Sequence, residues 1–102
     1  MTAHPQTVSQ VLEAAAEVAS RTWGRGGLHA SHGRPCALET IRDASGTGSR
    51  NVALMAAATN RFRTHLGVHG VATWNDAPGR TQTEVVAAFR EAAAAARAEE
   101  TP

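Results

Sequence analysis

The 102-residue chain has no lysine and no tyrosine, one cysteine, and only four aromatic residues: Trp23, Phe62, Trp74 and Phe89. A single cysteine excludes an internal disulfide. The absence of lysine leaves arginine as the sole basic side chain, with ten basic residues against nine acidic ones and a formal net charge of +1. The arginines run from Arg21 to Arg97 without clustering. A nucleic-acid binder shows a basic face or stripe, so this spread argues against DNA or RNA as the partner. No apolar run approaches the ~20 residues a membrane-spanning helix requires. The first residues lack the basic-then-apolar pattern of a secretory signal. The expectation is a cytoplasmic protein with no membrane association.

What is present is a globular composition, 42% hydrophobic and 19% charged. A chain of this length makes one domain that buries roughly 60–65% of its unfolded surface. With so few aromatics, the core is expected to be alanine, valine and leucine around four rings.

Thr7 and Gln10 form a Thr-x-x-Gln capping box. Val8, Val11, Leu12, Ala15, Val18, Ala19, Thr22 and Trp23 then recur on one stripe, predicting a helix to about Trp23. Residues 24–34 hold four glycines and read as a loop. Pro35 suits the first position of a short helix reaching Ser45. A third helix is expected from about Arg50, capped by Ser49, to Leu66. Its core stripe is Val52, Met55, Thr59, Phe62 and Leu66, widened by Leu54 and Ala58. Gly67 and Gly70 end it, and residues 68–74 read as an irregular turn. Pro78-Gly79 marks a turn. Thr81 and Glu84 make a second capping box, and Val85, Val86, Phe89, Ala92, Ala93 and Ala96 stripe the last helix. The tail from Ala98 to Pro102 is expected to fray. The fold class is all-α, a single compact bundle of about four helices spanning residues 1–102. Its ordered core covers about 7–97, with the glycine-rich loop after the first helix.

The stretch Trp74-Asn75-Asp76-Ala77-Pro78-Gly79-Arg80-Thr81-x-x-Glu84-Val85 resembles a family of small actinobacterial and actinophage proteins, the domain of unknown function numbered 6197. The opening Val11-Leu12-Glu13-Ala14-Ala15-Ala16 helix, Trp23 before the glycine loop, and Cys36-Ala37-Leu38 agree with it. The resemblance covers about residues 8–97. Glu39 departs from a Cys-Ala-Leu-Gly-Ala pattern. The resemblance implies the architecture and carries no activity.

Three constellations are candidates for chemistry. Trp74, Asn75 and Asp76, with Trp23 and Arg80, offer an aromatic plate, an amide and a carboxylate for a ligand. Equally, Asn75 and Asp76 suit bonding to local backbone in a turn. Cys36 stands at a helix start, where the dipole favours a thiolate, and His32 lies close enough in sequence to form a Cys–His pair. It also suits a buried, inert thiol. His29, His32 and Cys36, with His65 and His69, have spacings open to zinc; solvated histidines satisfy the same pattern. No phosphate loop or hydrolase signature occurs, and no cofactor is expected.

The first functional expectation is therefore a non-catalytic accessory or interaction protein, with another protein or a second copy of itself as partner. The alternative is a small-molecule or metal binder, with a pocket between residues 24–34, Cys36 and Trp74 that could support a cysteine-dependent reaction. A third is a nucleic-acid-binding regulator, which requires a contiguous face including Arg61, Arg63 and Arg80.

Overall fold

A computed structural model describes residues 5–24, 35–46 and 51–100. Among the described residues five helices follow in order: α1 Val8–Arg21, α2 Ala37–Ala44, α3 Val52–Leu66, α4 Val71–Asn75 and α5 Gln82–Glu100. The protein is an all-α single domain, and no strand occurs among the described residues. No helix among them is long and apolar enough to cross a membrane.

The start of α1 follows from its capping box. Thr7 Oγ1 accepts from the Gln10 N–H at 3.2 Å, and Gln10 Oε1 accepts from the Thr7 N–H at 3.3 Å. Its apolar stripe, Val11, Leu12, Ala15, Ala16 and Ala19, is buried. α5 begins in the same way: Glu84 Oε1 accepts from the Thr81 N–H at 2.9 Å while Thr81 Oγ1 accepts from the Glu84 N–H at 3.2 Å. Its buried face is Val85, Val86, Ala88, Phe89, Ala92, Ala93 and Ala96.

α1 and α5 run antiparallel and are joined at both ends. Glu100 accepts from the Ser9 N–H at 3.1 Å and the Ser9 hydroxyl at 2.6 Å. At the other end, Gln82 Nε2 donates to the Ala19 carbonyl at 2.7 Å. α1 has no acidic residue in its own first turn. Glu100 supplies that charge from the far end of the chain, where it meets the positive end of the helix dipole and two free donors. Gln82 likewise satisfies a carbonyl in the last turn of α1. Arg97 pairs with Glu13 between these clasps. The expected fraying after Ala98 is therefore corrected: the helix continues to Glu100 because its last carboxylates have partners, Glu99 pairing with Arg61 at 2.9 Å.

Between these helices the core is mainly alanine, with Phe62 stacked on Phe89 at 4.4 Å between centroids. Small side chains let the backbones approach, and the few rings fill what remains.

Three local expectations change. Residues 71–75 form a short helix, α4, with Gly70 as its N-cap instead of the end of α3. Gly67, at φ 68°, is what ends α3; only glycine adopts that left-handed geometry without strain. α2 begins at Ala37 with Cys36 as N-cap, so Pro35 lies outside the helix. The expected cap at Ser49 falls outside the described residues.

The stripe expected to bury α3 holds except at its start. Ala58 and Phe62 are its buried residues, whereas Val52 is 55% exposed and Met55 and Thr59 are half-buried. Leu54, Met55 and Leu66 pack against the core from its margin. The stripe turns inward along most of its length, and Val52, at the start of the helix, is the apolar residue that leaves it.

Candidate functional site

Asn75 is the polar centre of the molecule. It ends α4 and is fully buried. Its Oδ1 accepts from Trp23 Nε1 at 2.6 Å and from the Ala37 N–H at 2.9 Å. Its Nδ2 donates to the Gly24 carbonyl at 3.0 Å and to Asp76 Oδ1 at 3.1 Å. A side-chain amide has two acceptor sites and two donors, and here each is used. The partners also fix the orientation of the amide, because two N–H groups face one atom and two oxygens face the other.

The Ala37 contact has a specific meaning. The Cys36 side chain makes no capping bond at the start of α2, since a thiol is a poor acceptor. Asn75 provides that acceptor from another helix. Gly24 and Pro35 are joined directly as well, with the Gly24 N–H donating to the Pro35 carbonyl at 3.0 Å. Asn75 therefore gathers α4, the end of the α1 segment and the start of α2 around one amide. This overturns the reading in which Asn75 bonds only local backbone. Asp76 accepts from the Asn75 amide through Oδ1.

Trp74 takes the opposite side of the motif. Its ring meets Phe62 edge-on at 5.7 Å between centroids, at an interplanar angle of 89°. Trp74 thus reaches the last helix through Phe62, which stacks on Phe89. Arg80 covers the Trp74 ring at 4.2 Å and donates from Nε to the Trp74 carbonyl at 3.0 Å. Its Nη1 lies 3.7 Å from Glu84 Oε2. The turn between them closes with the Arg80 N–H on the Ala77 carbonyl at 3.0 Å, and Gly79 takes φ 83°. Arginine, tryptophan and the α5 cap form one clasp.

Among the described residues, Cys36, His65 and His69 form no metal-ligating group. Cys36 is fully buried. His29 and His32, with the rest of 25–34, lie outside the described residues. His65 and His69 are both exposed, and the turn at Gly67 separates them. His65 Nε2 stands 3.8 Å from Glu91. Among the described residues no group of three or more metal-ligating side chains occurs. The three arginines named for a nucleic-acid face are each engaged: Arg61 with Glu99, Arg63 with Asn60 and the Val68 carbonyl, Arg80 with Trp74 and Glu84.

The geometry defines a small all-α protein in which the most distinctive side chains hold its segments together. The family model described as "Family of unknown function (DUF6197)" matches residues 3–95, and the chain belongs to that family. No curated protein and no solved structure matches the chain.

One surface was missed by sequence reading. A groove of about 320 Å³ between α2 and α3 is lined by Leu38, Arg42, Met55, Ala56, Thr59, Asn60 and Arg63. The available signal was the excess apolar width of α3, which one buried stripe does not absorb.

Proposed function

We propose that the protein is a non-catalytic accessory protein that works through contact with another protein chain, in the cytoplasm. The observation that carries this reading is the use of the candidate chemical groups in folding. All four hydrogen-bonding positions of the Asn75 amide are occupied within the chain, and the Cys36 side chain is fully buried. Arg80 is held between Trp74 and Glu84. A side chain whose valences are filled internally has to break those bonds to meet a substrate. A single free thiol suits a reducing compartment.

Iodoacetamide alkylation of the native protein at neutral pH tests the reading against cysteine chemistry. Cys36 is expected to react only under denaturing conditions. A thermal-shift screen with zinc and a metabolite panel complements it, since a ligand of the native state raises the melting temperature. No shift is expected. Rapid native alkylation, or a saturable shift lost in Cys36→Ser, would favour the binding or cysteine-dependent alternative.

A further inference from the structure

The geometry points to the α2–α3 groove as the docking site for an acidic amphipathic helix of a partner protein. The inference rests on the interaction reading above and names the face and the chemistry of what it receives.

The floor is apolar. Leu38 from α2 and Met55, Ala56 and Thr59 from α3 line it. Thr59 turns its hydroxyl back onto the Met55 carbonyl at 2.9 Å, so its polar atom is satisfied within its own helix. Val52, 55% exposed, stands one turn before Met55 on the same face. It is the one large hydrophobic residue that is strongly exposed among the described residues. From Val52 to Arg63 this face runs about 16 Å at the usual 1.5 Å rise, the length of about three helical turns. Apolar anchors at helical spacing seated in such a groove are a recurrent mode of peptide recognition.

The rim supplies the sign of the partner. Arg42 and Arg63 flank the floor, and no carboxylate lines it. Arg42 is exposed and has no hydrogen bond or ion pair among the described residues. Arg63 bonds the neutral Asn60 amide and the Val68 carbonyl. Neither cation is neutralised by a carboxylate, whereas Arg61, Arg80 and Arg97 each have one. Two uncompensated cations over an apolar floor complement a helix with apolar residues on one face and Asp or Glu beside them. The apolar floor favours such a helix over nucleic acid, which would require a wider basic surface.

The test uses the full chain as bait for an unbiased library of short displayed peptides. The enriched peptides are expected to carry apolar residues at helical spacing flanked by Asp or Glu. One synthesised representative then serves as the probe. Its binding should fall by about tenfold or more in Arg42→Glu and in Ala56→Glu. It should be retained in Ala57→Glu, which alters the same helix on another face. All three positions are exposed, and matching circular dichroism and melting temperatures confirm that the variants fold. Neutral or basic enriched peptides, or insensitivity to Arg42→Glu and Ala56→Glu, would overturn the assignment. So would competition by a duplex DNA, or light scattering showing a dimer that Ala56→Glu dissociates, which would make a second copy the occupant. Peptides that map to another face sink the groove and leave the interaction reading standing. Failure to enrich any peptide overturns the groove, and with a ligand-dependent thermal shift it overturns both.

Discussion

At the scale of single residues, Asn75 joins three segments through the four bonds of one buried amide. Replacing it with alanine leaves the Ala37 N–H and the Trp23 Nε1–H without their acceptor. The expected loss is roughly 2–4 kcal/mol, the combined effect of several missing bonds and buried unsatisfied donors, read from chemical denaturation. Asn75→Asp separates shape from bonding. It keeps the outline and the acceptor but loses both donors, and it sets a carboxylate against the Gly24 carbonyl and Asp76. It should destabilise about as much as Asn75→Ala at neutral pH. A variant within a few tenths of a kcal/mol of the parent would show that the network is dispensable.

The sequence grouped Trp23 with Asn75, but the bonds that join them and the link to Ala37 were not legible in it. Asn75 lies 38 residues from Ala37 and 52 from Trp23. Asn-Asp before Pro-Gly already satisfies local turn rules, so no residual signal pointed to distant partners. Arg80 was legible as part of the motif, but its seat over Trp74 depended on the turn at Gly79 directing the chain back.

At the scale of helices, the principal unit is the α1–α5 pair, closed by Glu100 at one end and Gln82 at the other. Glu100→Ala and Gln82→Ala should each lower stability by about 0.5–1.5 kcal/mol, as expected for the loss of a helix-end partner. Ser9 and Ala19 are about 15 Å apart along α1 at 1.5 Å per residue. The two losses should therefore add within about 0.5 kcal/mol in the double variant. A strongly non-additive cycle would mean that the pair shifts as a body. Both capping boxes and both apolar stripes of this pair were readable, because they obey local spacing. The extension of α5 to Glu100 was not, because its partners Ser9 and Arg61 belong to other helices. On α3 the stripe was readable from Leu54 onward, and periodicity alone did not say that Val52, in the first turn, lies beyond the reach of the core.

At the scale of the whole molecule, alanine sets the distance between helices. Ala15 and Ala92 are fully buried. Enlarging either to leucine forces backbone movement in a close-packed core, with an expected cost of about 1–3 kcal/mol measurable by thermal or chemical denaturation. Stabilisation by either substitution would reveal a void that close packing does not allow. The all-α class followed from composition and periodicity. The arrangement of the helices did not, since it depends on which small side chains face each other.

The Ser9–Glu100 contact also sets how the molecule would respond to force. The entry to α1 and the exit from α5 lie side by side at one end of an antiparallel pair. Pulling on the two ends of the chain therefore loads Ser9–Glu100 first and then peels the helices apart in succession, through Arg97–Glu13 towards Gln82–Ala19. Bonds that break one after another resist far less than bonds sheared together. Stretched from its two ends, the protein should open at low force from that edge. Stretched between Arg21 and Glu100, it should hold longer, because the same contacts would then share the load.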